Sequence, residues 1–338
     1  VAVVLTSLSA ARIVVKNTLT PQTSQGARPK KSNIDGVSSM AVTLKRHYWH
    51  AIALIVLAIV VMPAHAGVIV TREFDSQTLG RKWAYTVYLP DGYESSSLRY
   101  PVLYLLHGNG QNLNSWSVQG RIQLTADRLI AAGEIPPTLI VMPDAGTTWY
   151  VDRKEKMESA FIGDLMSDVQ TNFRTIEARN GRVIGGLSMG GYGSLRFSLK
   201  YPDKFAAAAL LSPAIYDPEP PESSSARRVG VFGAPNYDGE VWKQLNYPSL
   251  LEGYFAKKQL VPMYIVSGDD DEFVIEPEAM KLYTLLRSRR HPAELRIVDG
   301  GHDWRVWETT IEDAMVYMYR YVARPVLDAP SRPAKSSR

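Results

Sequence analysis

Through most of the chain, short apolar runs alternate with longer amphipathic stretches. Runs at 67–71, 83–89, 101–106, 138–142, 183–187, 206–211, 263–266 and 294–298 predict strands. The later ones are continuously apolar rather than alternating, as parallel strands covered on both faces must be. Helical spacing of apolar positions recurs at 121–132, 159–173, 192–201, 276–289 and 304–321. Strand and helix in regular alternation predict an α/β fold. Its mostly parallel central sheet should have about eight strands, right-handed crossovers and helices on both faces. No internal repeat interrupts this order.

One segment breaks the rhythm. Residues 214–260 are rich in Pro, Ser and Gly and follow a strand end. A connection of that length is commonly functional, and this one reads as a partial lid.

The two ends of the chain read differently from its middle. From Met40 come a basic stretch with Lys45 and Arg46, an apolar core over 51–62, and the small-x-small end Ala64-His65-Ala66. This predicts a signal peptide over 40–66, cleaved after Ala66, and a periplasmic or secreted product with no remaining membrane span. The apolar core is short of the about 20 residues that a bilayer span needs. Residues 1–39 read as an upstream extension from a start site set too early, 67–323 as a single domain, and 324–338 as a disordered tail.

Setting the leader aside changes the charge balance. The whole chain carries net +4, but residues 1–66 hold seven Lys and Arg against Asp35 alone, which leaves −2 for the rest. A basic surface for nucleic acid is therefore not expected. The chain has no cysteine, so neither a disulfide framework nor a thiolate site is available.

The candidate chemistry centres on Gly186-Leu187-Ser188-Met189-Gly190, between an apolar strand and a helix start. A nucleophilic serine on so sharp a turn needs glycine on both sides, where a Cβ would strike neighbouring elements. The serine also needs a base held by an acid. Outside the leader the histidines are His107, His291 and His302. His302, in a glycine loop after a strand and downstream of the serine, is the expected base. His291, after a basic helix end, reads as a cap. The acid should follow a strand between them, in Ser267-Gly-Asp-Asp-Asp-Glu-Phe273, with Asp271 favoured over Asp270 and Asp269. This run lacks the Gly and Glu placement of a calcium loop, so no metal is expected. Backbone amides of Met189 and of Asn109, between Gly108 and Gly110, are the expected oxyanion donors.

Four stretches, Tyr100–Gly110, Gly186–Leu195, Ser267–Phe273 and Gly300–Trp307, together resemble the esterase family of α/β-hydrolases. That family includes feruloyl and acetyl-xylan esterases, S-formylglutathione hydrolases, enterochelin esterases and mycolyltransferases. The resemblance implies Ser188 as nucleophile, His302 as base, Asp271 as acid and Asn109 as first oxyanion amide. It also implies an aromatic wall of Trp149 and Tyr150, with Trp304 beside the base. The motifs are closest to the carbohydrate-ester branch, although Gln111 stands where a glycine is common.

The expected protein is thus an exported serine carboxylic-ester hydrolase acting without a cofactor on a small-molecule or polysaccharide ester. The alternatives are an acyltransferase with the same triad and a noncatalytic glycan-binding protein of the envelope. Oligomeric state is not readable from the sequence.

Overall fold

The computed structural model describes residues 66–327. The expectations for 1–39, for the signal segment up to 65 and for 328–338 lie outside those residues. Among the described residues no helix is long and apolar enough to cross a membrane.

Eight strands form one sheet in the order β1 (Val68–Ser76), β2 (Arg81–Leu89), β5 (Leu139–Pro143), β4 (Val102–Leu106), β6 (Arg182–Leu187), β7 (Ala208–Leu211), β8 (Met263–Gly268) and β9 (Ala293–Val298). β1 and β2 are antiparallel, as are β2 and β5, and every later neighbour pair is parallel. The five strands β4 to β8 are buried along their whole length, which is why their sequences do not alternate. β1 lies at the sheet edge and alternates between exposed and half-buried positions.

The two-residue period of a strand divides the core into two layers. Val102, Tyr104 and Leu106 join Phe161, Ile184 and Phe197 on one face. Leu103 and Leu105 join Val183, Leu187 and Met315 on the other. Helix α5 (Met189–Lys200) contributes to the first layer, and α9 (Trp304–Tyr319) covers the second together with α2 (Ile122–Ala131). Burying each large apolar side chain contributes about 1.5–3 kcal/mol, so these two layers hold the sheet.

Three local features depart from the sequence expectation. The helix expected over 159–173 is α3 (Met157–Ala160), a π-turn (Phe161–Leu165) and α4 (Met166–Asn172). Within it Asp164 accepts from Ser76 and Thr78, and Asp168 accepts from Arg72 and Tyr85, so both acids serve the β1–β2 hairpin. The tail expected from 324 is ordered further: β10 (Val326–Leu327) pairs with β3 (Leu98–Arg99). Segment 214–260 contains helices α6 (Gly239–Leu245) and α7 (Leu251–Ala256) and is tied down rather than loose. Tyr192 and Arg196 of α5 both donate to the Leu245 carbonyl, at 2.7 and 2.5 Å. Arg196 is in turn held by buried Glu158, which also meets Lys200 and Tyr201.

Candidate active site

β6 delivers Ser188 to the C-terminal edge of the sheet. The residue adopts φ 54° and ψ −117°, a conformation that side chains rarely take. It persists because the surroundings fix it: Ser188 N donates to Leu211 O, and Ser188 O accepts from Ala214 N and Tyr192 N. A Cβ at Gly186 would lie 2.6 Å from Gly190 O, and one at Gly190 would strike the Leu106 and His107 carbonyls. Both elbow glycines are therefore required by contact.

The two residues expected as base and acid arrive on adjacent loops. His302 Nε2 lies 2.9 Å from Ser188 Oγ, and His302 Nδ1 lies 2.7 Å from Asp271 Oδ2. With Nδ1–H donating to the carboxylate, Nε2 is left to accept from the serine hydroxyl. Asp271 is buried, and its other oxygen accepts from Phe273 N at 3.0 Å. The loops meet at Gly268, where a Cβ would strike Gly300 O. Glu272 Oε2 accepts from the His302 backbone N–H at 3.0 Å. The imidazole stands between Phe273 and Trp307, each 4.9 Å away edge to face, and Trp307 Nε1 donates to buried Ser212. Asp269 and Asp270 are exposed; Asp269 accepts from Gly300 N instead of approaching the imidazole.

The turn after β4 is braced from two sides. Gly108 N donates to Gln111 Oε1 at 2.9 Å, so the residue standing where glycine is common holds this loop. His107 is buried, and burial lowers its pKa. It accepts at Nε2 from Ala145 N and faces Gly108 O with Nδ1, which ties the turn to the end of β5. Asn109 lines the cavity in front of Ser188. Met189 opens α5, so its amide is among those that no helical carbonyl satisfies.

That cavity has a volume of about 250 Å³, and Asn109, Trp149, Tyr216, Arg228 and Phe273 wall it around Ser188 and His302. Of the aromatic residues expected to meet substrate, Trp149 lines it; Tyr150 and Trp304 do not. Tyr150 is fully buried beneath Gly193 and donates to His107 O at 3.0 Å, so it supports the turn after β4. Trp304 packs edge to face on Trp116 and Trp307. Tyr216 and Arg228 come from segment 214–260, where no motif marked them; Phe273 could have been found by its place two residues after Asp271. His291 caps the helix end through its backbone, whose N–H donates to Leu286 O at 2.9 Å, but its imidazole serves elsewhere. It is buried, faces the Tyr254 hydroxyl at 2.7 Å, and burial lowers its pKa to about 4.

Residues 76–318 match the family model described as "Putative esterase". The chain is 38% identical over 156 residues to an endo-1,4-beta-xylanase/feruloyl esterase of Xylanibacter ruminicola, covering 43% of this chain and 22% of that one. It is 36% identical over 263 residues to an esterase of Mycobacterium tuberculosis, covering 69% of this chain and 55% of that one. The chain thus spans about half or less of these curated relatives. A solved ferulic acid esterase superposes with a TM-score of 0.66 at 28% identity, covering 76% of this chain and 98% of its own.

Proposed function

The chain belongs to the esterase family whose model it matches, and from that premise we propose that it is a serine carboxylic-ester hydrolase. The observation that carries this is the hydrogen-bonded line Ser188 Oγ, His302 Nε2, His302 Nδ1, Asp271 Oδ2, at 2.9 and 2.7 Å. Ser188 attacks the ester carbonyl as its proton passes to His302. Asp271 holds the imidazole in the tautomer that can accept that proton, and stabilises the imidazolium that forms. The amides of Asn109 and Met189 bind the oxyanion, and the positive end of α5 lies beneath it. His302 then protonates the departing alcohol. A water deprotonated by the same imidazole cleaves the acyl-enzyme.

Acetyl and feruloyl esters of carbohydrates are the substrate class that the motifs and the relatives' names support. Export by the 40–66 segment belongs to the same reading, with 67–323 as the catalytic domain. It requires a mature N-terminus at Gly67, and a secreted protein that retains residues before Met40 would refute it.

The deciding experiment compares the protein with Ser188→Ala on para-nitrophenyl acetate, methyl ferulate and acetylated xylan, with fluorophosphonate labelling alongside. The substitution should lower turnover by at least about 10⁴-fold without unfolding the chain. Near-native turnover in the variant would sink the assignment. Transfer of the acyl group to an added sugar in preference to water would make the protein an acyltransferase, and an unlabelled Ser188 would point to the noncatalytic alternative.

A further inference from the structure

The cavity before Ser188 has an unusual electrostatic character for a site that need only hold a neutral ester. Among the residues lining it, Arg228 is the one with a permanent charge. Its guanidinium is held, but not neutralised. One terminal nitrogen donates to Glu222 O at 2.9 Å and the other to Ser223 O at 2.8 Å. Among the described residues no carboxylate pairs with it: the nearby acids Glu219 and Glu222 are engaged by Arg227. Two backbone carbonyls fix the fork's direction and leave its remaining N–H groups for an acceptor.

A second observation comes from another residue of the lining. Trp149 is 1% exposed and its indole Nε1–H has no hydrogen-bond partner. Its ring is wedged among Tyr192, Phe232 and Trp242, each edge to face within 6.0 Å, so it cannot easily turn to find one. The residue also sits at φ 55°, in the left-handed region. An orphaned donor in a buried ring is destabilising unless something satisfies it. Trp149 and Arg228 line the same cavity. Both are donors, and one carries full charge.

The geometry points to an anion subsite beside the nucleophile, centred on the Arg228 guanidinium in the wall that Trp149 shares, so that the preferred ester carries a carboxylate. This rests on the hydrolase reading of Ser188 and deepens it: the substrate is a half-ester of a dicarboxylic acid or a uronic acid acylated on one of its hydroxyls. Esters whose two sides are both uncharged are the poorer substrates. The carboxylate takes no part in bond making. It anchors the substrate while Ser188 attacks the neighbouring ester carbonyl.

Matched substrates test this on both sides of the ester bond. On the acyl side, para-nitrophenyl hemiglutarate is compared with para-nitrophenyl valerate. On the alcohol side, acetylated glucuronic acid is compared with acetylated glucose. The readout is the ratio of kcat/KM, charged over neutral, in the native protein and in Arg228→Gln, Arg228→Lys and Trp149→Phe. Arg228→Gln should lower the ratio about tenfold in at least one pair, as expected for loss of a charge-assisted contact in a partly open site. Arg228→Lys should retain part of it, and Trp149→Phe should lower it less. A ratio that Arg228→Gln leaves unchanged in both pairs overturns the proposal. Calorimetry with glutarate and glucuronate on the same proteins reads the subsite without turnover. If Ser188 proves inert, the hydrolase reading fails, and equal anion binding by the native protein and Arg228→Gln would then overturn this one separately.

Discussion

Ser188 and His302 were legible as residues because each is singled out by something local. The serine lies between glycines that contact requires, and the histidine is one of three candidates outside the leader, in a glycine loop after a strand. Asp271 was less sharply marked, since three aspartates stand in a row and only tertiary structure turns one inward; the family resemblance decided among them. Aromatic residues were harder still. Trp149 lines the cavity while Tyr150 next to it is buried beneath Gly193. Adjacent side chains diverge with the backbone, and here both residues have φ 55°, which no pattern of apolar positions encodes. The bracing role of Gln111 was equally hidden, because it depends on where a side-chain oxygen falls in a tight turn. Gln111→Ala should lower kcat about tenfold while KM and the thermal midpoint change little, since Gly108 N loses its acceptor and the oxyanion turn loosens. Steady-state kinetics with one activated ester checks this. An unchanged kcat would show that His107 and Tyr150 hold the turn by themselves.

At the level of elements, the strands were the most readable part. β4 to β8 have runs of buried apolar residues with no helical competitor, and each was found within about two residues of its place. The amphipathic pattern over 159–173 predicts one continuous helix, because a π-turn preserves that pattern while shifting its phase. What the pattern could not carry is how two loops meet. Gly268 at the end of β8 lies against Gly300 after β9, and this contact sets the distance between Asp271 and His302. Gly268→Ala should force the loops apart and lower kcat by about 10²-fold, the effect of displacing a catalytic group by about an ångström. Fluorophosphonate labelling should slow in parallel. A variant with native kcat would mean that the loops absorb a methyl group without moving the imidazole.

For the whole molecule, the fold class followed from the alternation of elements, but the attachment of segment 214–260 did not. Its far end is held by a buried line of hydrogen bonds: Val261 N–H donates to Tyr254 Oη, which faces His291 Nε2. A neutral imidazole can accept from the phenol; a protonated one cannot. Burial lowers the His291 pKa from 6.5 to about 4, and burial lowers that of His107 as well. In both cases the unfolded chain binds the proton more readily than the folded one. The stability that neutral His291 contributes is complete above about pH 6.5 and is lost as pH falls toward about 4, at up to about 1.4 kcal/mol per pH unit. Thermal midpoints followed from pH 7 down to pH 4 should fall in that window, and less steeply in His291→Gln. Equal slopes in the two proteins would place the acid sensitivity elsewhere.

The order of the proposed catalytic groups along the chain also has a consequence in time. Ser188 lies 114 residues before His302, and Asp271 lies 31 before it. The strand that precedes Asp271 and the helix that follows His302 come late in the chain, after the strand that leads to Ser188. Until they pair, the serine is an ordinary alcohol with no base in reach. On the proposed mechanism, ester cleavage waits until the strand before His302 and the helix after it have docked, and catalytic competence becomes a report that this domain has finished folding.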